Sequence, residues 1–158
     1  MWTNIHDEFK SLEQQRLMTK LAGYVKALNG LTPAELAELL SHAQKCTFAV
    51  GATIIKEGSN CHHMYIIIEG EVVVSKKGAK GKAELARLKT ADSFGEMALA
   101  DRKFRCATVT ALSPCILIRV GDEAMANRPE TGMKIYRNIS RVLSERLRVS
   151  SDQLAWRI

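Results

Sequence analysis

The sequence predicts a mainly β protein with flanking helices: a double-stranded β-helix, or jelly-roll, barrel between N-terminal helices and a long C-terminal helix. Between Phe48 and Val120, short β-branched runs alternate with single glycines, which is typical of the short strands and tight turns of a barrel. On both sides of this stretch, apolar residues recur at helical spacing. With 158 residues, 46% of them hydrophobic, the chain can bury a core without disulfides or a metal.

Residues 1–30 are predicted to form a helical lead-in, which the pair Asn29-Gly30 ends as a helix stop. The segment Thr32-Pro33-Ala34-Glu35 then supplies an N-cap, a proline at the first helical position and a glutamate three residues after the cap. A short helix is therefore predicted from Pro33 to about Ala43.

The barrel is predicted within residues 31–128, where the β-branched runs are bounded by glycines. The predicted strands are Thr53 to Lys56, Met64 to Ile68, Glu71 to Ser75, Glu84 to Leu88, Ala107 to Ala111 and Ile116 to Val120.

Residues 129–158 are predicted to be a C-terminal helix that acts as a lid and dimerisation element. Pro129 opens the helix, which continues to about Leu154, and an apolar arc runs along it from Ile135 to Val149. We expect a homodimer through this face. Arg146 falls in the middle of the arc, so it needs an anionic partner to offset the cost of burying its charge.

Composition excludes some classes of protein. The longest apolar run, Tyr65 to Ile68, is far shorter than the roughly 20 residues that span a bilayer, so no membrane span is expected. The first residues do not resemble a secretory signal, and the four dispersed cysteines are expected to be free thiols in the cytoplasm. The formal net charge of +6 is compatible with an anionic partner.

One stretch, residues 94–109, combines groups suited to a phosphate and a hydroxyl. Gly95 lets the backbone approach a ligand closely, and the turn that follows has free N–H groups that can face an anion. The planar guanidinium of Arg105 can pair with two phosphate oxygens, and Glu96 can accept hydrogen bonds from hydroxyls. The sequence reads Phe94-Gly95-Glu96-Met97-Ala98-Leu99, five further residues, and then Arg105-Cys106-Ala107-Thr108-Val109.

This stretch resembles the phosphate-binding cassette of cyclic nucleotide-binding domains, which occur in catabolite activator proteins, protein kinase A regulatory subunits and cyclic nucleotide-gated channels. The cassette pattern FGE-[LM]-AL followed by R-x-A-T-V is reproduced without a gap. Upstream, Ile55 to Gly58 and Met64 to Gly70 look like the family's strand, turn and glycine-ended strand. The resemblance covers about residues 31–154 and implies a receptor for a cyclic nucleotide.

The resemblance also implies a role for each cassette residue. Arg105 would hold the cyclic phosphate, Glu96 the ribose 2′-hydroxyl, and backbone N–H groups near Gly95, Ala98 and Cys106 would complete the cradle. Cys106 stands where a threonine or serine can favour guanine. Because a thiol is a weak donor, cyclic AMP is predicted over cyclic GMP.

Two further segments resemble catabolite activator proteins. Leu85 and Ala86 match positions that line their ligand site. The segment from Arg146 to Ser151 resembles the one whose paired hydroxyls contact the purine, one of them from the partner subunit, and its arginine is expected to contact Glu96. The predicted ligand-binding residues are Leu85, Ala86, Gly95, Glu96, Met97, Ala98, Arg105, Cys106, Ala107, Arg146, Ser150 and Ser151.

Some positions depart from the family pattern. Phe104 replaces the proline that many members have before the arginine. Asp101, Arg102 and Lys103 make the cassette loop unusually charged, and Arg102 could compete with Arg105 for the phosphate. The upstream loop is also atypical, with Cys61-His62-His63 where a glycine and an acid are common.

Two alternative functions stay open: a degenerate domain that acts as a protein-interaction module, and a small metal-dependent β-barrel enzyme. Against the enzyme, all the histidines precede the cassette: His6, His42, His62 and His63. Because the sequence ends at Ile158, no helix-turn-helix and no sequence-specific DNA binding are expected. The prediction is a receptor without catalytic residues, metal or cofactor, which relays ligand binding through its C-terminal helix to an unidentified downstream protein.

Overall fold

A computed structural model describes residues 2–4, 12–126 and 128–156 of the chain; His6 lies outside these residues. Within them, helices lie on both sides of a run of strands, as the sequence predicts, but residues 2–4 of the predicted helical lead-in form a strand that pairs with a later one. In chain order they are β1 (Trp2–Asn4), α1 (Leu12–Tyr24), a 3-10 turn (Lys26–Leu28), α2 (Pro33–Ser41), β2 (Gln44–Phe48), β3 (Thr53–Ile55), β4 (Met64–Glu69), β5 (Glu71–Gly78), β6 (Gly81–Lys89), β7 (Ser93–Phe94), α3 (Glu96–Asp101), β8 (Thr108–Ala111), β9 (Cys115–Val120), α4 (Glu123–Ala126) and α5 (Pro129–Ala155).

The strands form two antiparallel sheets, so the predicted jelly-roll barrel is confirmed. One sheet has the order β1-β2-β9-β4-β7 and the other the order β3-β8-β5-β6. Strands β1, β2 and β7 are additions to the predicted set. Strand β2 is held in place by its pairing with β9, from Gln44 opposite Arg119 to Phe48 opposite Cys115.

Strand β4 is buried on both faces, which explains its continuous apolar sequence. Successive side chains of a strand point to opposite sides of the sheet. Tyr65 and Ile67 therefore face the barrel interior, where the Tyr65 ring stacks on Phe94 with a centroid separation of 5.2 Å. Met64 and Ile66 face the other way and pack in the cluster that joins the barrel to the helices.

The first half of α5 packs against the N-terminal helices of the same chain. Ile135 and Ile139 are fully buried in the cluster that α1, α2 and the 3-10 turn also contribute to, and Val142 is buried too. The buried amide of Asn138 donates to the carbonyl oxygens of Ala27, at 3.2 Å, and Asn29, at 2.7 Å. The expectation that the whole arc from Ile135 to Val149 forms a dimer face is therefore wrong, because its first half is already covered within the protomer.

The start of α2 has the capping box that the sequence predicts. The backbone N–H of Glu35 donates to the Thr32 hydroxyl at 3.2 Å, and the backbone N–H of Thr32 donates to the Glu35 carboxylate at 2.8 Å. Lys134 of α5 donates to both oxygens of the same carboxylate, at 2.9 and 2.8 Å. One glutamate thus both caps α2 and attaches it to α5.

Of the helices in the described part of the chain, none has the combination of length and apolar character that crossing a bilayer needs.

Candidate ligand-binding site

An open cavity of about 1150 Å³ lies between strand β6, the segment around α3 and the C-terminal half of α5. It brings together eleven of the twelve residues that the sequence singles out, and Ser151 is the exception. The lining residues among the predicted set are Leu85, Ala86, Gly95, Glu96, Met97, Ala98, Arg105, Cys106, Ala107, Arg146 and Ser150. Ser151 is exposed and is not among the residues that line this cavity.

Gly95 lies at the start of α3 in a left-handed conformation, with φ of +81°. This backbone conformation is costly for a residue with a Cβ atom. The space is also tight, because a Cβ at this position would lie 2.8 Å from Nη1 of Arg105 and 3.0 Å from the carbonyl oxygen of His63. Glycine is therefore needed both for the turn into α3 and for the close approach of Arg105.

Arg105 is buried in the loop before β8, with 5% of its surface exposed. Its Nη1 donates to the carbonyl oxygen of Gly95 at 2.8 Å, and its Nη2 donates to the carbonyl oxygen of His63. Its Nε has no hydrogen-bond partner within the described residues, and no carboxylate of those residues forms an ion pair with it. A guanidinium has five N–H donors, so three of them form no hydrogen bond within the described residues.

Glu96 is buried at 2% exposure and is held from two sides. The hydroxyl of Ser93 donates to Oε1 at 2.6 Å, and Nη1 of Arg146 lies 3.3 Å from Oε1 and 3.1 Å from Oε2. Nη2 of Arg146 also donates to the backbone carbonyl of Ser93. The predicted contact between Arg146 and Glu96 is confirmed, and it joins α5 to the first turn of α3.

The opposite wall of the cavity is apolar and exposed. Leu85 and Ala86 lie on β6, the edge strand of its sheet, whose side chains are almost all exposed. Cys106 and Met97 also line the cavity, and the Cys106 thiol donates to the Met97 thioether at 3.8 Å. These side chains give the cavity an apolar part in addition to its charged groups.

Arg102, the competing arginine of the cassette loop, is not part of the site. Its guanidinium donates to the carboxylate of Asp122, and the residue is exposed and does not line the cavity. Phe104, which replaces the family's proline, is exposed at the cavity rim. Of these two arginines, Arg105 is therefore the one that lines the cavity.

Several residues of the site are missed by the sequence analysis. Ser93 supports Glu96 through its hydroxyl, and a serine three residues before the cassette glutamate is the signal that could have found it. His63 contributes only its backbone carbonyl, which leaves no sequence signal. At the mouth of the cavity, Lys26 donates to Glu145 of α5 at 2.6 Å, a contact 119 residues apart in sequence.

The loop from Cys61 to His63 contacts the Arg105 guanidinium through the carbonyl oxygen of His63. The His63 ring is 3.3 Å from the Cys61 thiol and 3.9 Å from the carboxylate of Glu123. Burial, with the positive charge of Arg119 as a smaller contribution, lowers the pKa of His63 from 6.5. In the described part of the chain, no three histidine, cysteine or acidic side chains lie together in a way that could hold a metal ion.

Comparison with known proteins identifies the same region. A family model described as cyclic nucleotide-binding domain matches residues 45–128. A "CRP-like cAMP-activated global transcriptional regulator" of Mycobacterium tuberculosis is 28% identical over 143 residues, which is 87% of this chain and 62% of the relative. A "cAMP-dependent protein kinase regulatory subunit" of Aspergillus fumigatus is 31% identical over 111 residues, which is 70% of this chain and 26% of the relative.

A solved structure agrees with these relatives. The catabolite activator protein of Thermus thermophilus superposes with a TM-score of 0.74 and 26% identity, covering 83% of this chain and 62% of that one. The chain thus spans less than two thirds of the length of each of these proteins.

Proposed function

The chain belongs to the cyclic nucleotide-binding domain family, and from that membership we propose that its cavity binds cyclic AMP in preference to cyclic GMP. We propose a regulatory receptor without catalytic activity, which relays ligand binding through α5 to a downstream protein. The relatives described above are regulators whose names include cAMP, which supports this proposal. A cytoplasmic location is part of the proposal, and the four free cysteines are consistent with it.

The single observation that carries the proposal is the buried, partly unpaired guanidinium of Arg105. Burying a charge without an opposite charge is costly, so folding alone gives no reason to keep an arginine here. Two backbone carbonyls orient the group, and the Nε atom that has no partner lies in a side chain that lines the cavity. A cyclic phosphate would supply the missing negative charge through charged hydrogen bonds.

The rest of the ligand would find matching groups around this anchor. Glu96, oriented by Ser93 and Arg146, would accept a hydrogen bond from the ribose 2′-hydroxyl. Leu85 and Ala86 offer an apolar surface for the purine. Cys106 presents a thiol that is already directed to Met97, so it offers guanine no strong hydrogen bond, which favours adenine.

Helix α5 is suited to relay binding because it touches the site directly. Arg146 joins it to Glu96, and Glu145 joins it to Lys26 of the 3-10 turn. Asn138 joins it to the carbonyl of Ala27 within that turn and to the carbonyl of Asn29 just after it. A ligand that binds one position of α5 more tightly than another shifts the population toward that position. The relay therefore requires only that a hydrogen bond from the ribose to Glu96 alter the ion pair between Glu96 and Arg146.

The second half of α5 is the surface that we propose for a homodimer. Four apolar side chains in this half and just after its end are exposed, whereas Ile135, Ile139 and Val142 are buried. The four exposed residues are Leu147, Val149, Leu154 and Trp156. Ser151 is exposed on the same stretch and does not line its own cavity, as expected of a hydroxyl that serves the site of the partner copy.

Isothermal titration calorimetry with cyclic AMP, cyclic GMP and 5′-AMP tests the proposal. We expect cyclic AMP to bind most tightly. Replacing Arg105 with alanine removes charged hydrogen bonds that contribute roughly 1.5 to 3 kcal/mol each, so the affinity should fall on the order of a hundredfold or more. Arg102→Ala is the matched control, since it removes the neighbouring exposed arginine, and it should leave the affinity unchanged.

Other outcomes would favour the alternatives. No heat with any cyclic nucleotide would indicate a degenerate domain that acts as an interaction module. Equal affinities of wild type and Arg105→Ala would refute the phosphate assignment. Cys106→Thr restores a hydroxyl beside the base and should narrow the preference for cyclic AMP over cyclic GMP, and an unchanged preference would show that this position does not select the base.

A further inference from the structure

The thiol of Cys106 lies inside the candidate site. Cys106 directly follows Arg105, is exposed, and lines the same cavity as Met97, whose sulfur it contacts. The other three cysteines are not in the cavity lining. Cys46 and Cys115 are buried, and Cys61 is half-buried with its thiol against the His63 ring.

The surroundings of this thiol attract anions. The Lys76 ammonium donates to the Cys106 carbonyl oxygen at 2.7 Å and lies 3.9 Å from the Glu57 carboxylate. Arg105, buried and with an unpartnered Nε, lines the same cavity, as does Lys103. The acids that line the cavity are engaged elsewhere: Glu96 is paired with Arg146 and Glu145 with Lys26, and the carboxylates of Asp92 and Asp101 each accept from a backbone N–H. A small anionic molecule would therefore be concentrated beside Cys106.

We propose that Cys106 is a thiol–disulfide exchange site for anionic low-molecular-weight disulfides, and that a cyclic nucleotide in the cavity blocks the exchange. The second half of this statement rests on the proposed function. Access and local charge favour Cys106 over the other cysteines, since exchange requires that the thiolate reach the disulfide sulfur. In contrast, burial raises the pKa of the Cys46 thiol to about 12, so that residue stays protonated and unreactive.

The reaction is an exchange without net oxidation. The Cys106 thiol loses its proton to solvent, and the thiolate attacks one sulfur of oxidised glutathione. A new S–S bond forms to Cys106, the S–S bond of the reagent breaks, and one glutathione leaves as a thiolate, which takes up a proton. A reducing thiol reverses the step by the same route.

The exchange and nucleotide binding should exclude each other. A phosphate held by Arg105 would lie next to the following residue, so the bound ligand covers the thiol. A glutathionyl group on Cys106 would fill the same space beside Arg105 and bring carboxylates to its free N–H groups. The receptor would then respond to its nucleotide only while Cys106 is reduced.

The test follows glutathione adducts by intact-mass spectrometry and peptide mapping, with oxidised glutathione as the probe. Wild type and the control variant Cys61→Ser should each gain one adduct at Cys106, and Cys106→Ala should gain none. Cyclic AMP at a hundred times its dissociation constant leaves about 1% of the cavity free, so it should slow the reaction about a hundredfold. The modified protein should lose measurable cyclic AMP binding and regain it with dithiothreitol.

The outcomes separate the two proposals. Modification of Cys106→Ala at the wild-type rate would refute the site. If calorimetry shows that cyclic AMP binds and the reaction at Cys106 is not slowed, the exclusion is refuted and the proposed function stands. If calorimetry shows no binding, the proposed function and the exclusion both fail, and the comparison with Cys106→Ala still decides whether the thiol exchanges.

Discussion

Replacing Gly95 with alanine tests the close packing of the cassette against Arg105. A left-handed conformation costs a residue with a Cβ roughly 1 to 2 kcal/mol. Part of this is offset because alanine restricts the unfolded chain, by about 0.4 to 1 kcal/mol. Conformation alone therefore leaves a net cost of about 1 kcal/mol.

The position adds a second cost. The new Cβ would lie 2.8 Å from Nη1 of Arg105 and 3.0 Å from the His63 carbonyl oxygen, distances at which these atoms must shift. The guanidinium would lose its hydrogen bond to the Gly95 carbonyl, a charged interaction that contributes roughly 1.5 to 3 kcal/mol. The total loss of stability for Gly95→Ala should thus be about 3 kcal/mol.

Gly51→Ala is the matched control. Gly51 has nearly the same φ, +82° against +81°, and a Cβ there meets no atom within 4 Å. At roughly 2 to 4 °C per kcal/mol for a domain of this size, the melting temperature should fall about 3 °C for Gly51→Ala and about 9 °C for Gly95→Ala. Cyclic AMP affinity should fall at least tenfold in Gly95→Ala only. Equal shifts in both variants, with unchanged affinity, would refute the claim that Gly95 makes room for Arg105.

Three further measurements address the ion pairs and α5. Arg146→Met should lower the free energy of unfolding by about 1 to 3 kcal/mol, because Glu96 stays buried without its cation, whereas Arg141→Met on the exposed face of α5 should change it little. The double variant Arg146→Met with Glu96→Gln should lose less stability than the sum of the two single losses, and additive losses would refute the energetic coupling of Arg146 with Glu96. The hydrogen bond from Lys134, with that from Thr32, lowers the pKa of Glu35 from 4.5 to about 2. The ionised carboxylate therefore stabilises the fold above about pH 4.5, and this effect is lost as the pH falls toward 2. The melting temperatures of wild type and Glu35→Gln should converge over that interval, and a constant difference between them would contradict this. Leu154→Glu should shift sedimentation toward the monomer, and Met133→Glu, equally exposed near the other end of α5, should not; a monomeric wild type with ligand present would refute the dimer.

Much of the architecture follows from local sequence signals. Single glycines between β-branched runs placed most of the strands, and the Thr32 to Glu35 segment placed the start of α2 because a capping box satisfies backbone groups of the helix itself. The contact between Arg146 and Glu96 was predictable for a different reason. A charge in an apolar arc must be neutralised when it is buried, and the resemblance to catabolite activator proteins implied that the cassette glutamate is its partner.

The remaining features depend on contacts between distant parts of the chain. Strand β2 has little alternation of its own, and its pairing with β9 makes it a strand. Strand β7 has only two residues, too few for a period to show. The apolar arc along α5 indicated that this face of the helix is buried but not what covers it. Ile135 was therefore assigned to an interface with a second copy, whereas the helices of the same protomer cover it. The oxygen of His63 that orients Arg105 belongs to the backbone, which every residue type shares.

Because Arg146 belongs to the helix and Glu96 to the pocket, one ion pair is common to both. Thermodynamic linkage requires that two binding events which share an equilibrium influence each other equally. A protein whose binding to the far end of α5 changes this ion pair should therefore alter the affinity for the ligand by the same factor by which the ligand alters the affinity for that protein. A downstream partner could thus be identified by its effect on the equilibrium affinity for the nucleotide.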